Sequence, residues 1–225
     1  MGAIPKDSYL GKQVAYGYLQ TGGNAAFVLF AGLAALADAS GRRLESAVFA
    51  GGETLGNLWC LLVGQSATAR KTTCLNLITA QLAQVAPTLV CGKPGSGPGL
   101  LKRLAAHPIT LMELGEMGDF LAATASNNGV SFYSQVKESC TKFFDGKSEE
   151  TPYSKEVIHV RDPRFSIVAA CAPPFLADHT VKRDWEGGFY SRFLMICTDS
   201  ERNVRLAKQT PATVEGRRWC GDWIG

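Results

Sequence analysis

Apolar residues along this chain fall into short, sharply bounded runs, and the runs alternate with stretches of helical spacing. Residues 58–63 (LWCLLV), 109–113 (ITLME), 164–171 (RFSIVAAC) and 193–196 (FLMI) are nearly continuous in apolar character, as expected of strands buried on both faces. Residues 87–91 (PTLVC) read as a further strand. Between them, residues 72–85 and about 99–106 have helical spacing, and residues 92–99 (GKPGSGPG) are too rich in turn formers for a regular element. Residues 130–144 place Phe132, Val136, Cys140 and Phe144 roughly on one side, predicting a core-packing helix. Residues 145–152 form a polar break, and residues 153–160 alternate enough to be a strand or half of a hairpin. Ahead of all this, about fifty residues are largely helical in pattern. Residues 24–39 (NAAFVLFAGLAALADA) fit a buried helix ended near Gly41, expected as a lid or collar before the core.

Strands alternating with helices predict an α/β fold of three layers around a central, mainly parallel sheet. The expected organisation is a helical N-terminal extension over residues 1–56, a core over 57–200 and a basic C-terminal segment over 201–225. That last segment holds Arg202, Arg205, Lys208, Arg217 and Arg218 with Trp219 and Trp223. It reads more readily as an amphipathic helix on the core than as a nucleic-acid surface. The stop at Gly225 fits either a compact protein or a piece of a longer one.

The strand at 58–63 runs into Gly64, Gln65, Ser66, Ala67, Thr68, Ala69, Arg70, Lys71, Thr72 and Thr73. Small residues let backbone N–H groups approach a phosphate, and a helix starting there directs its dipole at the same anion. Lys71 then supplies a cation and Thr72 a hydroxyl for Mg²⁺. The spacing departs from the standard phosphate loop: Gly64 lies seven residues before Lys71 instead of six, and Arg70 occupies the position of the second Gly. The plainer alternative is a buried strand, an ordinary loop and a basic helix start.

Two acids follow the strand at 109–113. Glu113 is the preferred candidate for polarising a water and joining the metal shell, with Met112 standing where an Asp would orient the ion. In a second register Glu116 is the key acid, and in a third reading both are solvated acids at a turn. Arg192, just before the last strand, suits charge stabilisation on a transferring phosphoryl group, including one held by a neighbouring subunit; a structural ion pair is its other reading. Lys155, His159 and Arg161 in the expected hairpin either grip a nucleic-acid backbone or form a solvated face.

Composition narrows the class. The 225 residues are 46% hydrophobic and 19% charged, enough for one sizeable globular domain. A net charge of +3 permits nucleic-acid binding without arguing for it. The seven cysteines form no CxxC pair, and Cys60, Cys74, Cys91, Cys171 and Cys197 lie mostly in apolar segments, as small core residues of a reduced cytoplasmic protein do. The N-terminus has no signal-peptide pattern, and the most apolar early run, 25–37, is too short to span a bilayer.

The order of these parts resembles a family of P-loop ATPases of phages, plasmids and integrative elements, whose members are often attached to or encoded beside primases and are taken to be helicase-like. The resemblance spans roughly residues 25–200 and rests on AALADASGRRLESAVFAGGETLGNLWCLLVGQSATARKTT, LMELGEMGDFL, RFSIVAACAPP and GGFYSRFLMI. The last two runs are also similar to motifs of the minichromosome maintenance helicases of the AAA+ class. The resemblance implies a P-loop NTPase fold (AAA+/RecA-like), with Lys71 and Thr72 for phosphate and Mg²⁺, Glu113 for water activation and Arg192 as an arginine finger. It also implies that Arg70 adds a cation near the phosphates. Ala172 falls where the helicases place a γ-phosphate-sensing Asn.

The implied function is ATP hydrolysis coupled to movement on DNA, most readily single-stranded, by a homo-oligomeric ring, a hexamer by resemblance, with a primase as a possible associate and no membrane. Two other classes are an ATP-binding assembly or recruitment module with slow hydrolysis, favoured by Met112 and Ala172, and a DNA-packaging ATPase.

Overall fold

The computed structural model describes residues 4–41, 45–49, 52–66, 68–124, 134–153 and 156–198. In chain order the elements are α1 (Tyr9–Thr21), α2 (Ala25–Ser40), β1 (Glu45–Phe49), β2 (Gly52–Leu55), β3 (Trp59–Val63), α3 (Lys71–Val85), β4 (Val90–Cys91), α4 (Gly97–Ala106), β5 (Ile109–Leu114) and α5 (Met117–Thr124). They continue with α6 (Ser134–Phe144), β6 (Glu149–Pro152), β7 (Val157–Val160), β8 (Arg164–Cys171), α7 (Pro173–His179), α8 (Lys182–Glu186) and β9 (Phe193–Cys197). The expected segment 201–225 lies outside the described residues.

Five strands form one sheet in the order β4-β5-β8-β3-β9, and every ladder in it is parallel. Parallel sheets survive only with both faces covered, and strand periodicity divides the work. Trp59, Leu61 and Val63 of β3, with Met112, Phe165 and Ile167, face a core made by α4, α5, α6 and β7. Cys60 and Leu62, with Leu111, Val168 and Ala170, face a second core made by α2 and α3. The result is three layers of helix, sheet and helix. Trp59 anchors the first core: its Nε1 donates to the Phe165 carbonyl at 3.1 Å, and the rings of Phe144 and Phe193 lie 5.2 and 4.9 Å away.

Several expectations change. Helix α2 is no collar: Phe27, Val28, Ala31 and Ala34 are fully buried against the sheet, so α2 is a layer of the core itself. Residues 45–49 and 52–55, expected within a helical extension, form the antiparallel strand pair β1–β2. The polar break at 145–152 contains β6, which pairs antiparallel with β7, so the hairpin begins earlier than its apolar pattern suggests. Pro87–Leu89 is a 3₁₀ turn, which leaves β4 only two residues long. Helix α4 begins at Gly97 because Ser96 caps it through the Gly99 N–H and Pro98 suits the first turn. Among the cysteines, Cys60, Cys74 and Cys171 are buried, whereas Cys197 is exposed. No described helix is long and apolar enough to cross a membrane.

One acid is carried into the core. Asp38 on α2 is 2% exposed, and its Oδ2 has no hydrogen-bond partner among the described residues. Burial holds its carboxyl well above the ordinary carboxylate value, and a hydrogen bond with Ser166 offsets part of that rise. The unfolded chain releases this proton near pH 4 while the native state keeps it, so stability falls as pH rises from about 4 toward the raised native value. Asp38→Asn, neutral at every pH, is expected to flatten that decline in denaturant titrations run across the range. An unchanged slope would trace the decline to another group.

Candidate functional site

Helix placement creates a topological switch point at the carboxyl end of the sheet. The chain leaving β3 turns onto the α2/α3 face, whereas β5 and β8 are followed by α5 and α7, which pack on the opposite face through Phe120 and Leu176. Neighbouring strands β3 and β8 therefore send their chains to opposite sides, the arrangement at which open α/β sheets bind ligands. Residues 64–70 occupy this point.

The loop is folded tightly back on itself. The Gly64 N–H donates to the Cys171 carbonyl at 3.3 Å, and the Ala69 N–H closes the turn onto the Gln65 carbonyl at 3.3 Å. A Cβ on Gly64 would stand 2.7 Å from the Ala69 Cβ, so glycine is required by close approach. Gln65, Ser66 and Thr68 are exposed, and Ala67 lies outside the described residues. Arg70 is left-handed, with φ 49° and ψ 32°. The backbone thus demands the glycine-like conformation at the position where a standard phosphate loop has Gly, although the side chain is arginine. Its guanidinium is committed away from the loop: Nη1 donates at 2.8 Å to the carbonyl of Thr21, the last residue of α1. A cation at a helix C-terminus satisfies an orphan carbonyl and the helix dipole together. The cation expected near the phosphates is therefore a tie to α1.

Lys71 opens α3 and is 6% exposed. Its Nζ donates to the Gln65 carbonyl across the loop at 3.5 Å, a long contact for a buried ammonium. Thr72 donates from Oγ1 to the Gly115 carbonyl at 3.3 Å, joining the start of α3 to the end of β5 across the tip of β8. Thr73 is exposed. Glu113 is partly buried on the α3 side of the sheet, where the Asn76 amide, oriented so that its nitrogen faces the two acceptors, donates to its Oε1 and to the Thr72 carbonyl, both at 2.9 Å. Met112 points the other way, fully buried in the opposite core, so strand phase bars it from the site whatever residue stands there. Glu116 is exposed just beyond β5. Burial and then the Glu116 carboxylate push the Cys171 thiol up, while the Lys71 ammonium pulls it down, so all three share the end of β8.

Other expected site residues lie elsewhere. Phe193 pairs with Trp59 at the start of β3, which puts Arg192 at the amino end of the sheet, roughly 20 Å of strand from Gly64. There it is clamped: Nη2 donates to both Asp145 oxygens at 3.0 Å, Nε to Oδ1 at 3.3 Å and Nη1 to the Gly188 carbonyl at 2.8 Å, with the guanidinium 5.6 Å from the Phe144 ring. Arg192 does not reach the loop of its own chain. On the β6–β7 hairpin His159 lies opposite Glu150, 3.2 Å from Nδ1 to Oε2, and Arg161 is exposed. Lys155 lies outside the described residues. Glu156 pairs with Lys102 on α4, so the described hairpin mixes both signs of charge.

Asn76 was missed in the sequence, where it reads as one more polar residue on an exposed helix face; its spacing of four from Thr72 was the available signal. The buried pair of Lys137 on α6 with Asp184 on α8, at 2.6 Å, was missed as well. Compared with known proteins, the chain matches no protein-family model and no curated protein.

Two substitutions test the loop. Gly64→Ala is expected to lower unfolding free energy by about 1–3 kcal/mol, because the Ala69 turn must shift to admit the methyl. Arg70→Gly and Arg70→Ala both lose the bond to Thr21, but only Ala retains the strain. In urea melts Arg70→Gly is expected to be the more stable by about 1 kcal/mol, and equal stability would mean that the left-handed position carries no strain.

Proposed function

We propose that the chain binds a nucleoside triphosphate, ATP with Mg²⁺, at residues 64–73 and hydrolyses it, acting on DNA as a subunit of a helicase-like ring that replicates a mobile element. One observation carries the nucleotide part of this reading. Lys71 is an almost fully buried ammonium at the head of a helix, at the carboxyl end of the sheet, and among the described residues its polar contact is one long approach to a loop carbonyl. A cation so desolvated gains most from an anion that displaces that contact.

The residues around it fit the same ligand. The close approach at Gly64 keeps the loop free of side-chain bulk. Thr72 and Glu113 offer a hydroxyl and a carboxylate on the α3 side for a hard cation. Bound Mg²⁺ would neutralise charge on the phosphates. Lys71 would bind the phosphates from the loop side, and Glu113 or Glu116 would orient the attacking water. Arg192, distant from its own loop, would serve only the site of a neighbouring copy. The ring, the DNA and an associated primase rest on the order of motifs.

A second reading has its own support. With Arg192 held by Asp145 and with Ala172 apolar at the end of β8, the chain lacks two groups that would speed hydrolysis. An assembly module that binds ATP and turns it over slowly has this composition. The two readings separate on turnover. Steady-state ATP hydrolysis stimulated by single-stranded DNA, weakened by salt and abolished in Lys71→Ala, is the outcome expected of the motor. Tight ATP binding with negligible turnover, lost in Lys71→Ala, supports the module. Unchanged ATP binding in Lys71→Ala would overturn both.

A further inference from the structure

We propose that Asn76 is a positioning residue that holds Glu113 against the first turn of α3, so that its carboxylate serves the Mg²⁺ shell beside Thr72. This rests on the nucleotide-binding reading above. Asn76 lies on the exposed side of α3, four residues after Thr72, where burial demands no hydrogen bond. Asparagine is a poor helix former at such a position, because its short amide competes with the backbone. Here both amide donors are used. One amide atom lies 2.9 Å from both Glu113 Oε1 and the Thr72 carbonyl; an oxygen there would face two acceptors, so that atom is assigned as the nitrogen, which donates to both.

The bond to Glu113 ties β5 to α3 across the tip of β8, while the bond to the Thr72 carbonyl stays within α3. The Thr72 hydroxyl makes a second tie to the same segment through the Gly115 carbonyl at 3.3 Å. Glu113 and Thr72 are thus held on one side of the loop, next to each other, by a donor that contributes no charge. With one carboxylate oxygen engaged by Asn76, Glu113 keeps the other for an ion or its water. Glu116, exposed beyond the strand and sharing the end of β8 with Lys71, is left as the acid for the attacking water. A carboxylate oriented by a neutral amide is the usual way an outer contact tunes a metal site.

The test is binding, with turnover set aside. Affinity for a fluorescent ATP analogue is measured with Mg²⁺ and with EDTA for the native chain, Lys71→Ala, Glu113→Gln, Asn76→Ala, Asn76→Asp and the Asn76→Ala/Glu113→Gln double variant. Asn76→Asp keeps the shape and removes the donor. The Mg²⁺-dependent gain in affinity is expected to fall roughly ten- to hundred-fold in both Asn76 variants, with affinity in EDTA unchanged. The double variant is expected to be no weaker than Glu113→Gln alone, because both changes disable one interaction. An intact Mg²⁺ gain, an equal loss in EDTA, or additive effects in the double variant would overturn the assignment of Asn76 while Lys71→Ala still abolished binding. If the native chain bound no analogue under either condition, the nucleotide reading itself would fail and this inference with it.

Discussion

The grip of β8 and β9 on the two sides of β3 is the constraint on which the rest of the molecule depends. Five consecutive residues of β3 pair with five of β8 and five of β9, all in parallel. Parallel pairing on both sides fixes which end of β3 carries the loop. Burial on both faces fixes which residues point to which core. Once Leu61 and Trp59 are committed to one face and Leu62 to the other, the chain beyond Val63 has only the carboxyl edge to emerge from. The switch point, the turn at Gly64 and the start of α3 all follow from that geometry.

Arg70 is where local preference and tertiary structure disagree most openly. A left-handed arginine costs about 1–2 kcal/mol, and a hydrogen bond from a cation to a helix-end carbonyl contributes a comparable amount. The strain is therefore offset, at similar magnitude, by an interaction that joins α1 to the head of α3. The same corner is packed closely by other atoms. Thr21 Oγ1 lies 3.4 Å from Cys74 Sγ, and Gly23 leaves no room for a Cβ beside that sulfur. The N-terminal helices are thus built into the loop's support.

Much of this was legible from pattern. Continuous apolar runs marked β3, β5, β8 and β9, and small residues ahead of Lys71-Thr72 marked the loop. What pattern misses is direction and layer. An alanine-rich helix such as α2 looks the same whether it caps a domain or lines its core; its small side chains become informative only once they are seen to let it lie close on the sheet. Strand phase was equally hidden: Met112 and Glu113 are adjacent in sequence but face opposite sides of the sheet, so a carboxylate at 112 would point into the wrong core. Arg192 read correctly as a charged residue at a strand start, but parallel strand order sets it at the far end of the sheet from Gly64. Asn76 carried no pattern at all, since its meaning comes from Glu113, a partner on another element.

The strand order also has a consequence in time. Trp59 pairs with Ile167 and Phe193, which follow it by 108 and 134 residues (167 − 59 and 193 − 59). During synthesis the loop leaves the ribosome long before the strands that will flank it, and contacts of such high sequence separation form late. Residues 64–70 thus stay without their framework until nearly the last described strand has been made. A ligand that needs the finished loop and its flanking strands will ignore nascent and half-folded chains, which makes its binding a measure of completed folding as much as of chemistry.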